Sequence, residues 1–481
     1  MIKKLLNKTR QMPVQVKAST AYVICSILQR CLSFVTLPLF TRLLTTEQYG
    51  QYSVYTSWSA VMSIFITLNL AFGSFNTAIV KFEKDRLGYV SAVQMVGVMM
   101  AGIFLAIYLP LQGTFNRLFE MPTVIVCVMI ADLLGQLAVG CWNTLNRFQY
   151  KYKNVIALTL CVAVSSPTLA YFFVINSTEK GYARVLGYAL VGIIAGAIIF
   201  ASNLIRGRKP FAKEYWAYAL RFNIPLIPYY LSQVVFNQSD RIMISHMAGT
   251  DKAGIYSVAY SLSLILTFVL NAINNSYVPW LYGKMREGTE RENRSISNGI
   301  AMLMTTLLLG VIALAPEIIA IMAGEKYAEA VWVVPPVTMS LLLLFYSQLF
   351  INVQFFYEEK TMLVWGSVGA ALLNVVLNWL LIPRFGYIAA GYTTLVSYIA
   401  FAVANYFTMS VVLKRQNKKN EAYDIRALAV IFLVFLALAF LAMALYRQPV
   451  IRFSIIGLTI LMMAVKHKQV IAFVKKTILR E

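Results

Sequence analysis

The sequence predicts an all-α membrane protein with about 14 transmembrane helices, built as two pseudo-repeated six-helix lobes followed by two extra C-terminal helices. Three observations support this fold class: the composition, a series of long apolar runs and an internal repeat. Of the 481 residues, 59% are hydrophobic and 13% are charged, whereas soluble domains average roughly 45–50% apolar and about 25% charged residues. The composition therefore excludes a soluble multidomain protein and a disordered chain.

The apolar residues form fourteen runs, each long enough to cross a bilayer core, which needs about 20 residues per helix. The connections between them are short, so no soluble domain is expected between the spans. The last run is the shortest. The predicted spans are residues 18–41, 52–79, 90–111, 121–145, 154–175, 182–205, 222–245, 254–281, 296–322, 332–356, 362–382, 387–413, 425–446 and 450–465.

The positive charges fix the expected orientation. The chain has 42 Lys and Arg residues against 20 Asp and Glu residues. With the N-terminus in the cytoplasm, 30 of the 42 cations fall on cytoplasmic segments, 9 on outer segments and 3 within spans. Cytoplasmic loops of membrane proteins collect Lys and Arg. We therefore expect a multi-pass membrane protein with both termini in the cytoplasm, and no nucleic-acid partner.

An internal repeat has a constant offset of 204 residues. Residues 46–54 (TEQYGQYSV) and 250–258 (TDKAGIYSV) share five of nine positions, and a Gly-Tyr pair recurs at residues 187–188 and 391–392. Six predicted spans separate the two copies, so both halves have the same orientation in the membrane. The domains predicted from this repeat are residues 1–216, 217–424 and 425–481. Parallel repeats of this kind place the substrate at their interface, near the bilayer midplane.

Several motifs resemble the polysaccharide flippases of the O-antigen (Wzx-type) family, within the superfamily of multidrug, oligosaccharidyl-lipid and polysaccharide exporters. They are Leu37-Pro38-Leu39-Phe40-Thr41-Arg42-Leu43-Leu44, the segment 46–52, Asn237-Gln238-Ser239-Asp240-Arg241, the segment 253–260, and Pro383-Arg384-Phe385-Gly386 before Ala390-Gly391-Tyr392. The layout of six, six and two spans covers the whole chain and matches the same superfamily.

The resemblance implies a function, a location and partners. It implies alternating-access transfer of an undecaprenyl-diphosphate-linked oligosaccharide, such as an O-antigen repeat unit for lipopolysaccharide, from the cytoplasmic to the periplasmic leaflet of the inner membrane. The implied partners are this lipid-linked glycan, the lipid bilayer, a polysaccharide polymerase and a chain-length regulator. It implies neither a cofactor nor a bound metal.

Charged side chains within the spans are the candidate site residues, because a charge at mid-span costs about 2.5–3.5 kcal/mol on insertion scales. Arg30 and Asp132 lie near the middle of their predicted spans. Asp240 and Arg241 lie in the outer third of the seventh span, and Arg221 lies at its cytoplasmic end. The planar guanidinium suits the oxygen atoms of a diphosphate. We therefore assign Arg30, Arg241 and Arg221 to the substrate, with Arg30 as the main contact.

The two carboxylates are the candidates for ion coupling. A buried Asp132 or Asp240 could carry a proton while the lobes alternate. The alternative is structural, because Asp132 could instead form a salt bridge with Arg30 within the first lobe. Asp240 and Arg241 are adjacent on one helix and point about 100° apart, so each needs a different partner.

Amide side chains at helical spacing are further candidates. Lipid-facing amides would lack hydrogen-bond partners, so these residues are expected to point inward, towards either sugar hydroxyls or neighbouring helices. The substrate assignments among them are Asn271, Asn275 and Asn374. The full set is Asn69 with Asn76, Asn271 with Asn274 and Asn275, Gln348 with Asn352, and Asn374 with Asn378.

Other function classes are less compatible with the sequence. It has no GxxxxGK[ST] motif for a built-in ATPase and only two histidines. An ion-coupled multidrug exporter of the same superfamily is the alternative, although its cavity should favour acidic groups, and here three Arg stand against two Asp within the spans. A membrane polysaccharide polymerase would need a long periplasmic loop, which the sequence lacks. We therefore expect a transporter and not an enzyme.

Overall fold

The structure is a computed structural model that describes residues 13–359 and 361–465, without the side chains of residues 361–363 and 459–465. All regular secondary structure within these ranges is helical. Several cations of the charge count lie outside the described residues, namely Lys3, Lys4, Lys8, Arg10, Lys360 and those of the predicted cytoplasmic tail from residue 466 onward.

Eighteen α-helices cover the described ranges. The first ten are α1 Val14–Leu43, α2 Thr46–Thr67, α3 Phe75–Lys81, α4 Arg86–Tyr108, α5 Gln112–Phe119, α6 Thr123–Phe148, α7 Tyr152–Ile175, α8 Lys180–Gly207, α9 Lys213–Asn223 and α10 Ile227–Ala248. The others are α11 Thr250–Glu287, α12 Asn293–Ala313, α13 Ala315–Met322, α14 Val334–Phe356, α15 Thr361–Phe385, α16 Ala389–Arg415, α17 Ile425–Ala444 and α18 Pro449–Val465.

The helices confirm a multi-pass membrane fold. Among the described residues, eleven helices are long and apolar enough to cross a membrane. They correspond to eleven of the fourteen predicted spans. The other three predicted spans correspond to α2 and α10, which are 22 residues long but carry more polar side chains, and to α18, of which Pro449–Leu458 is apolar.

The order of helices in the second half resembles that of the first, except that Phe75–Lys81 has no separate counterpart, because residues 279–285 lie within α11. Another short helix shows the resemblance most clearly: the 204-residue offset carries Gln112–Phe119 onto residues 316–323, and the second half has a short helix at Ala315–Met322. The two 3-10 turns at Glu83–Asp85 and Glu290–Glu292 precede equivalent helices, α4 and α12. The pseudo-repeat predicted from the sequence is therefore present in the secondary structure.

The contacts of the chain define two compact units, Met1–Ser245 and His246–Glu481. Most of α10, the first helix of the second repeat, packs within the first unit. The extra helices α17 and α18 belong to the second unit. In that unit Arg452, which is only 3% exposed, forms an ion pair with Glu317, and the Tyr446 hydroxyl donates a hydrogen bond to the Ile312 carbonyl.

The second predicted span is not one continuous helix. The prediction of a helix over residues 52–79 was wrong here, because α2 ends at Thr67 and residues 68–74 form turns before α3. Leu68 and Asn69 adopt left-handed conformations with φ of 47° and 52°, which end an α-helix. Asn69 therefore lies in the break and does not share a helix face with Asn76.

Two other predicted spans are also interrupted, in both cases at a proline. The span predicted over 296–322 consists of α12 and α13, because Pro316 cannot continue the hydrogen-bond ladder of α12. The start of the span predicted over 222–245 is a 3-10 turn, Ile224–Leu226, which contains Pro225. Arg221 therefore lies on the separate helix α9 and not on the spanning helix.

Glycines bring α6 and α8 together in the core of the first unit. A Cβ atom at Gly196 would lie 2.2 Å from the Cα atom of Gly135, and one at Gly135 would lie 2.8 Å from the carbonyl oxygen of Gly192. Neither backbone can accommodate a side chain at this crossing. Small residues at a helix contact allow the close packing that stabilises helix pairs in membranes.

A cation–aromatic cluster ties the first turns of α8 to α1 and α2. The guanidinium carbon of Arg184 lies 4.3 Å, 4.8 Å and 3.7 Å from the ring centroids of Phe40, Tyr49 and Tyr52, and Tyr188 is a further neighbour. Arg184 is 5% exposed. A desolvated contact between a cation and an aromatic face is worth about 2 kcal/mol or more. This cluster therefore anchors the C-terminal end of α1.

The glycine crossing yields a stability prediction. Gly196→Ala should lower the free energy of unfolding by about 1–3 kcal/mol, because the new methyl group meets backbone atoms that cannot move aside. The matched control is Gly102→Ala, where a Cβ atom would meet nothing within 4 Å. The measurement is thermal unfolding of both purified variants in detergent, followed by tryptophan fluorescence. Equal midpoints for the two variants would contradict the close crossing.

Candidate functional site

Helix α1 has a polar face that runs along most of its length. The polar residues recur at the three- and four-residue spacing that places side chains on one side of an α-helix. The opposite side is apolar and includes the exposed residues Ile24, Ile27 and Val35. The helix packs mainly against α7, and its polar face is largely exposed. That face comprises Ser19, Tyr22, Ser26, Gln29, Arg30, Ser33 and Thr36.

The hydrogen bonds made by this face indicate whether it borders water or lipid. The hydroxyls of Ser33 and Thr36 donate hydrogen bonds to carbonyls of their own helix, Gln29 and Ser33 respectively, so they tolerate a lipid environment. The Arg30 guanidinium has no such bond: among the described residues it makes neither a hydrogen bond nor an ion pair. Arginine within a membrane span faces a bundle interior or an aqueous cavity. The polar face of α1 is therefore the candidate wall of a substrate path.

The salt bridge between Arg30 and Asp132 is not formed. Asp132 lies on α6, is 9% exposed, and accepts a hydrogen bond from the Gln136 side chain at 2.8 Å. Gly192 of α8 makes room for its carboxylate, because a Cβ atom there would lie 2.5 Å from Oδ1 of Asp132. Arg30, by contrast, is exposed. The structure thus does not support the structural alternative for these two residues.

A second group of polar side chains joins α10 to α2 and α5. The Gln238 side-chain oxygen accepts hydrogen bonds from the Ser57 hydroxyl, at 3.1 Å, and from the Arg241 guanidinium. The Ser245 hydroxyl donates to the carboxylate of Glu120, which follows α5. We call Ser57, Gln238, Arg241, Ser245 and Glu120 the α10 polar contact. Arg241 is 8% exposed, and these bonds hold its guanidinium within the first unit.

The break after α2 is joined to α9 and α10. The Asn223 side-chain amide donates to the Ser74 hydroxyl at 2.7 Å and to the Ala219 carbonyl at 2.8 Å. A Cβ atom at Gly73 would lie 2.5 Å from Oδ1 of Asn223 and 2.7 Å from the Tyr230 hydroxyl. A side chain at position 73 would therefore require the Asn223 and Tyr230 side chains to shift. Helix breaks with polar neighbours occur in transporters where the backbone is buried in protein or lines a cavity.

The remaining sequence-predicted site residues occupy different environments. Arg221 is exposed on α9, and Asp240 is 2% exposed on α10. Asn275 is exposed on α11, as is Asn271, whose side-chain oxygen is 3.5 Å from the Gln348 amide nitrogen. The first unit contains all five charged candidates, and the second contains the three asparagines. The charged candidates are Arg30, Asp132, Arg221, Asp240 and Arg241.

Asn374 is fully buried between α15 and α16. Its side chain accepts a hydrogen bond from Asn378 at 3.2 Å, and the Thr393 hydroxyl donates to the Asn378 side chain. All three residues are nearly inaccessible. This arrangement favours the helix-packing alternative for these amides over contact with a sugar.

Two buried cations were missed by reasoning from the sequence. Arg184 and Arg452 were both counted with outer connections, but the structure buries the first among aromatic rings and the second against Glu317. Two features of the sequence could have indicated their burial. They are the tyrosines at positions 49 and 52, which surround Arg184, and the single acidic residue near the end of the ninth span, which pairs with Arg452. No group of three or more His, Cys, Asp or Glu residues among the described residues is arranged to hold a metal ion.

Comparison with known proteins identifies the family. Residues 16–285, more than half of the chain, match the model of a family described as polysaccharide biosynthesis proteins. The chain belongs to this family. It is 22% identical over 291 residues to the Lsg locus putative protein 1 of Haemophilus influenzae, which covers 56% of this chain and 67% of that protein. It is also 21% identical over 367 residues to an uncharacterized membrane protein of Methanocaldococcus jannaschii, covering 70% and 71% of the two chains.

The fold of this polysaccharide biosynthesis protein is shared with solved structures of transport proteins. The lipid II flippase MurJ, in an inward closed conformation, aligns with a TM-score of 0.65 at 13% identity, over 90% of this chain and 99% of that chain. An inward-facing multidrug resistance MATE family transporter of the MOP superfamily aligns with a TM-score of 0.57 at 12% identity, over 82% and 99%. The resemblance inferred from the motifs is confirmed, and the expectation of a transporter agrees with these findings.

The α10 polar contact yields a further prediction. Gln238→Leu should lower the free energy of unfolding by about 1–3 kcal/mol, because the buried Arg241 guanidinium and the Ser57 hydroxyl lose a common acceptor. The control is Gln233→Leu, a substitution of the same type on the same helix outside this contact. Thermal unfolding in detergent checks the difference, and a Gln238→Leu midpoint equal to that of Gln233→Leu would show that the contact contributes no stability.

Proposed function

We propose that this protein is a flippase that moves an undecaprenyl-diphosphate-linked oligosaccharide, such as an O-antigen or other surface polysaccharide repeat unit, from the cytoplasmic to the periplasmic leaflet of the inner membrane. Membership of the polysaccharide biosynthesis family and the fold shared with the lipid II flippase support this assignment. The substrate, the direction and the alternating-access mechanism are part of the proposal, as is cooperation with a polymerase and a chain-length regulator.

The observation that carries the proposal is the unpaired Arg30 on the exposed polar face of α1. An isolated guanidinium at mid-span is costly, and an aqueous path or an anionic ligand offsets that cost. A diphosphate supplies at least two negative charges, and the attraction of opposite charges increases as water is removed. The hydroxyls along the same face offer hydrogen bonds to the glycan that follows the diphosphate. One helix thus presents groups for both parts of the substrate.

The proposed roles of the other polar residues follow from their environments. Arg241 and Arg221 are proposed as further contacts for the anionic part of the substrate, and the exposed Asn271 and Asn275 as contacts for sugar hydroxyls. Asn374 remains in the proposed set only as a residue that positions α15 and α16, because it is inaccessible.

Asp132 and Asp240 are proposed for ion coupling. Asp132 has a single side-chain donor, Gln136, and no cationic partner among the described residues. Ionisable groups of this kind within membrane spans carry protons in pumps and transporters. Asp240 is more deeply buried than Asp132 and lies on the helix that carries the α10 polar contact.

The orientation is also part of the proposal. The distribution of 30 cytoplasmic against 9 outer cations supports cytoplasmic termini. With this orientation, the break after α2 and the linker between α8 and α9 lie at the cytoplasmic side.

At this side, Asp85 accepts hydrogen bonds from Lys209 and Tyr215, both at 2.6 Å. Burial raises the pKa of Asp85, but these bonds, the Lys209 charge and the Gly88 amide outweigh it and lower the pKa below its ordinary value.

The MATE-like fold leaves multidrug export as the second candidate function. Deletion of the gene separates the two candidates. A flippase deletion should make the lipid-linked oligosaccharide accumulate in the cytoplasmic leaflet and remove the polysaccharide from the cell surface. A drug exporter deletion should instead raise sensitivity to cationic compounds while the surface polysaccharide remains, and that result would overturn the proposal.

Substitution of Arg30 tests the site. Arg30→Ala should lower export of the lipid-linked oligosaccharide at least about tenfold, the effect of about 1.4 kcal/mol, because the diphosphate loses its main cation. Arg30→Lys should retain part of the activity, since charge remains while the two-pronged guanidinium contact is lost. Export is measured in the deletion strain complemented with each variant and normalised to the amount of inserted protein.

The controls separate this role from a structural one. Arg206→Ala removes an exposed cation at the end of α8 and should leave export unchanged. The double variant Arg30→Ala with Asp132→Asn should remain inactive at normal expression, because these residues do not pair in the structure. Recovery of export in the double variant would refute the assignment of Arg30 to the substrate.

A further inference from the structure

A cavity lies at the C-terminal end of α16, where the chain turns towards α17 in the second unit. Its volume is about 350 Å³, and its wall includes Tyr406, Ser410, Lys414, Lys418, Lys419 and Asn420. The residues come from the last turns of α16 and from the linker that follows. The cavity belongs to neither the polar face of α1 nor the α10 polar contact, which both lie in the first unit.

The linker that forms one wall is firmly held. The Asn420 side chain accepts a hydrogen bond from the Tyr423 amide at 3.1 Å and donates one to its carbonyl at 3.3 Å. The Arg294 guanidinium donates to the Glu421 carbonyl at 2.8 Å. The buried hydroxyl of Tyr423 donates to the Leu349 carbonyl at 2.8 Å. The shape of the cavity is therefore set by the protein before any ligand binds.

The polar end of the cavity carries excess positive charge. Lys414 and Lys419 have no ion-pair partner among the described residues, and Lys418 lies 3.6 Å from Glu290. The lining contains no acidic side chain. The neighbouring Arg415 pairs with Glu359 and does not line the cavity. Two uncompensated ammonium groups therefore face a preformed space that also contains the Ser410 hydroxyl.

The other end of the cavity is continuous with an apolar stripe on α16. Phe407 lines the cavity and is 61% exposed. The exposed residues Val396, Val403 and Val411 lie on the same side of the helix at spacings of seven and four residues. At a rise of 1.5 Å per residue, the distance from Val396 to Phe407 is about 16 Å. One leaflet of the hydrocarbon core has about the same depth.

We propose that this cavity binds the headgroup of an anionic phospholipid from the surrounding bilayer, while the acyl chains lie along the apolar stripe of α16. The phosphate accepts hydrogen bonds from the ammonium groups of Lys414 and Lys419. Basic pockets between helices at a membrane surface recognise anionic headgroups in this way. The ligand class is thus a phosphodiester lipid with a net negative charge, such as phosphatidylglycerol.

The equivalent segment of the first repeat is also basic, but one of its cations is paired with a carboxylate. Residues 206–213 also contain four cations. There, Lys209 forms an ion pair with Asp85 at 2.6 Å, and the backbone amide of Lys209 donates to the Ser91 hydroxyl. This segment provides a matched control, because cations can be removed from it without altering the cavity.

The test is native mass spectrometry of the purified full-length protein with phosphatidylglycerol and with phosphatidylcholine of the same acyl chains. The triple variant Lys414→Gln, Lys418→Gln, Lys419→Gln should bind phosphatidylglycerol at least about 25-fold more weakly, since each of the two lysines without an ion-pair partner contributes roughly a factor of five near a membrane surface. Retention of phosphatidylcholine should not change. The control Arg206→Gln, Arg208→Gln, Lys213→Gln should bind both lipids like the unmodified protein.

Further measurements show whether the cavity binds a phospholipid or free phosphate. Excess inorganic phosphate should not displace phosphatidylglycerol from the unmodified protein, because the acyl chains contribute to binding. If the triple variant does not fold, Lys419→Glu should show the same loss on its own. Equal retention of phosphatidylglycerol by the triple and control variants would overturn the proposal. Undecaprenyl diphosphate is added as a third lipid in the same assay. A triple variant that retains phosphatidylglycerol and loses only undecaprenyl diphosphate would also overturn the proposal. The assay contains no transport step, so its outcome is independent of the flippase proposal.

Discussion

The cost of placing polar groups in hydrocarbon governs the first unit of this protein. The chain meets that cost in two ways. Arg184 is removed from both water and lipid, and its charge is offset by the faces of Phe40, Tyr49 and Tyr52. Arg30 lies on the same helix as Phe40, but among the described residues it makes no ion pair and no contact with an aromatic ring. The first cation stabilises helix packing, whereas the second is available to a ligand. The difference between their environments explains why Arg30, and not Arg184, is assigned to the substrate.

The polar helices of the first unit are joined to one another at two levels. Near the middle of α2, Gln238 of α10 contacts Ser57. At the break after α2, Asn223 bonds to Ser74, and Gly73 leaves space for Tyr230. Because α2 and α10 carry too many polar groups to be stable in lipid alone, their mutual contacts stabilise both helices.

Much of the fold could be predicted from the sequence, since span length, apolar content and the 204-residue repeat follow directly from residue patterns. The breaks were harder to predict. Leu68 and Asn69, which adopt left-handed conformations, lie within an apolar run and follow no proline. The break depends on tertiary contacts, because the Asn223 side chain donates a hydrogen bond to Ser74 and the Tyr230 hydroxyl lies against Gly73. Arg30 was predictable because a mid-span charge is conspicuous. The burial of Arg184 was not, because it depends on rings from three different helices.

The central claim is that the polar face of α1 borders water and not lipid. It is tested most directly by cysteine labelling in intact membranes, in a variant whose five native cysteines are replaced. Cysteine is introduced at Ser19, Ser26 or Ser33 on the polar face and at Ile24, Ile27 or Val35 on the apolar face. A hydrophilic thiol reagent should label the first three positions readily and the second three poorly, because thiolate forms only where water is present. Equal labelling of the two faces, or labelling of the apolar face alone, would contradict the account.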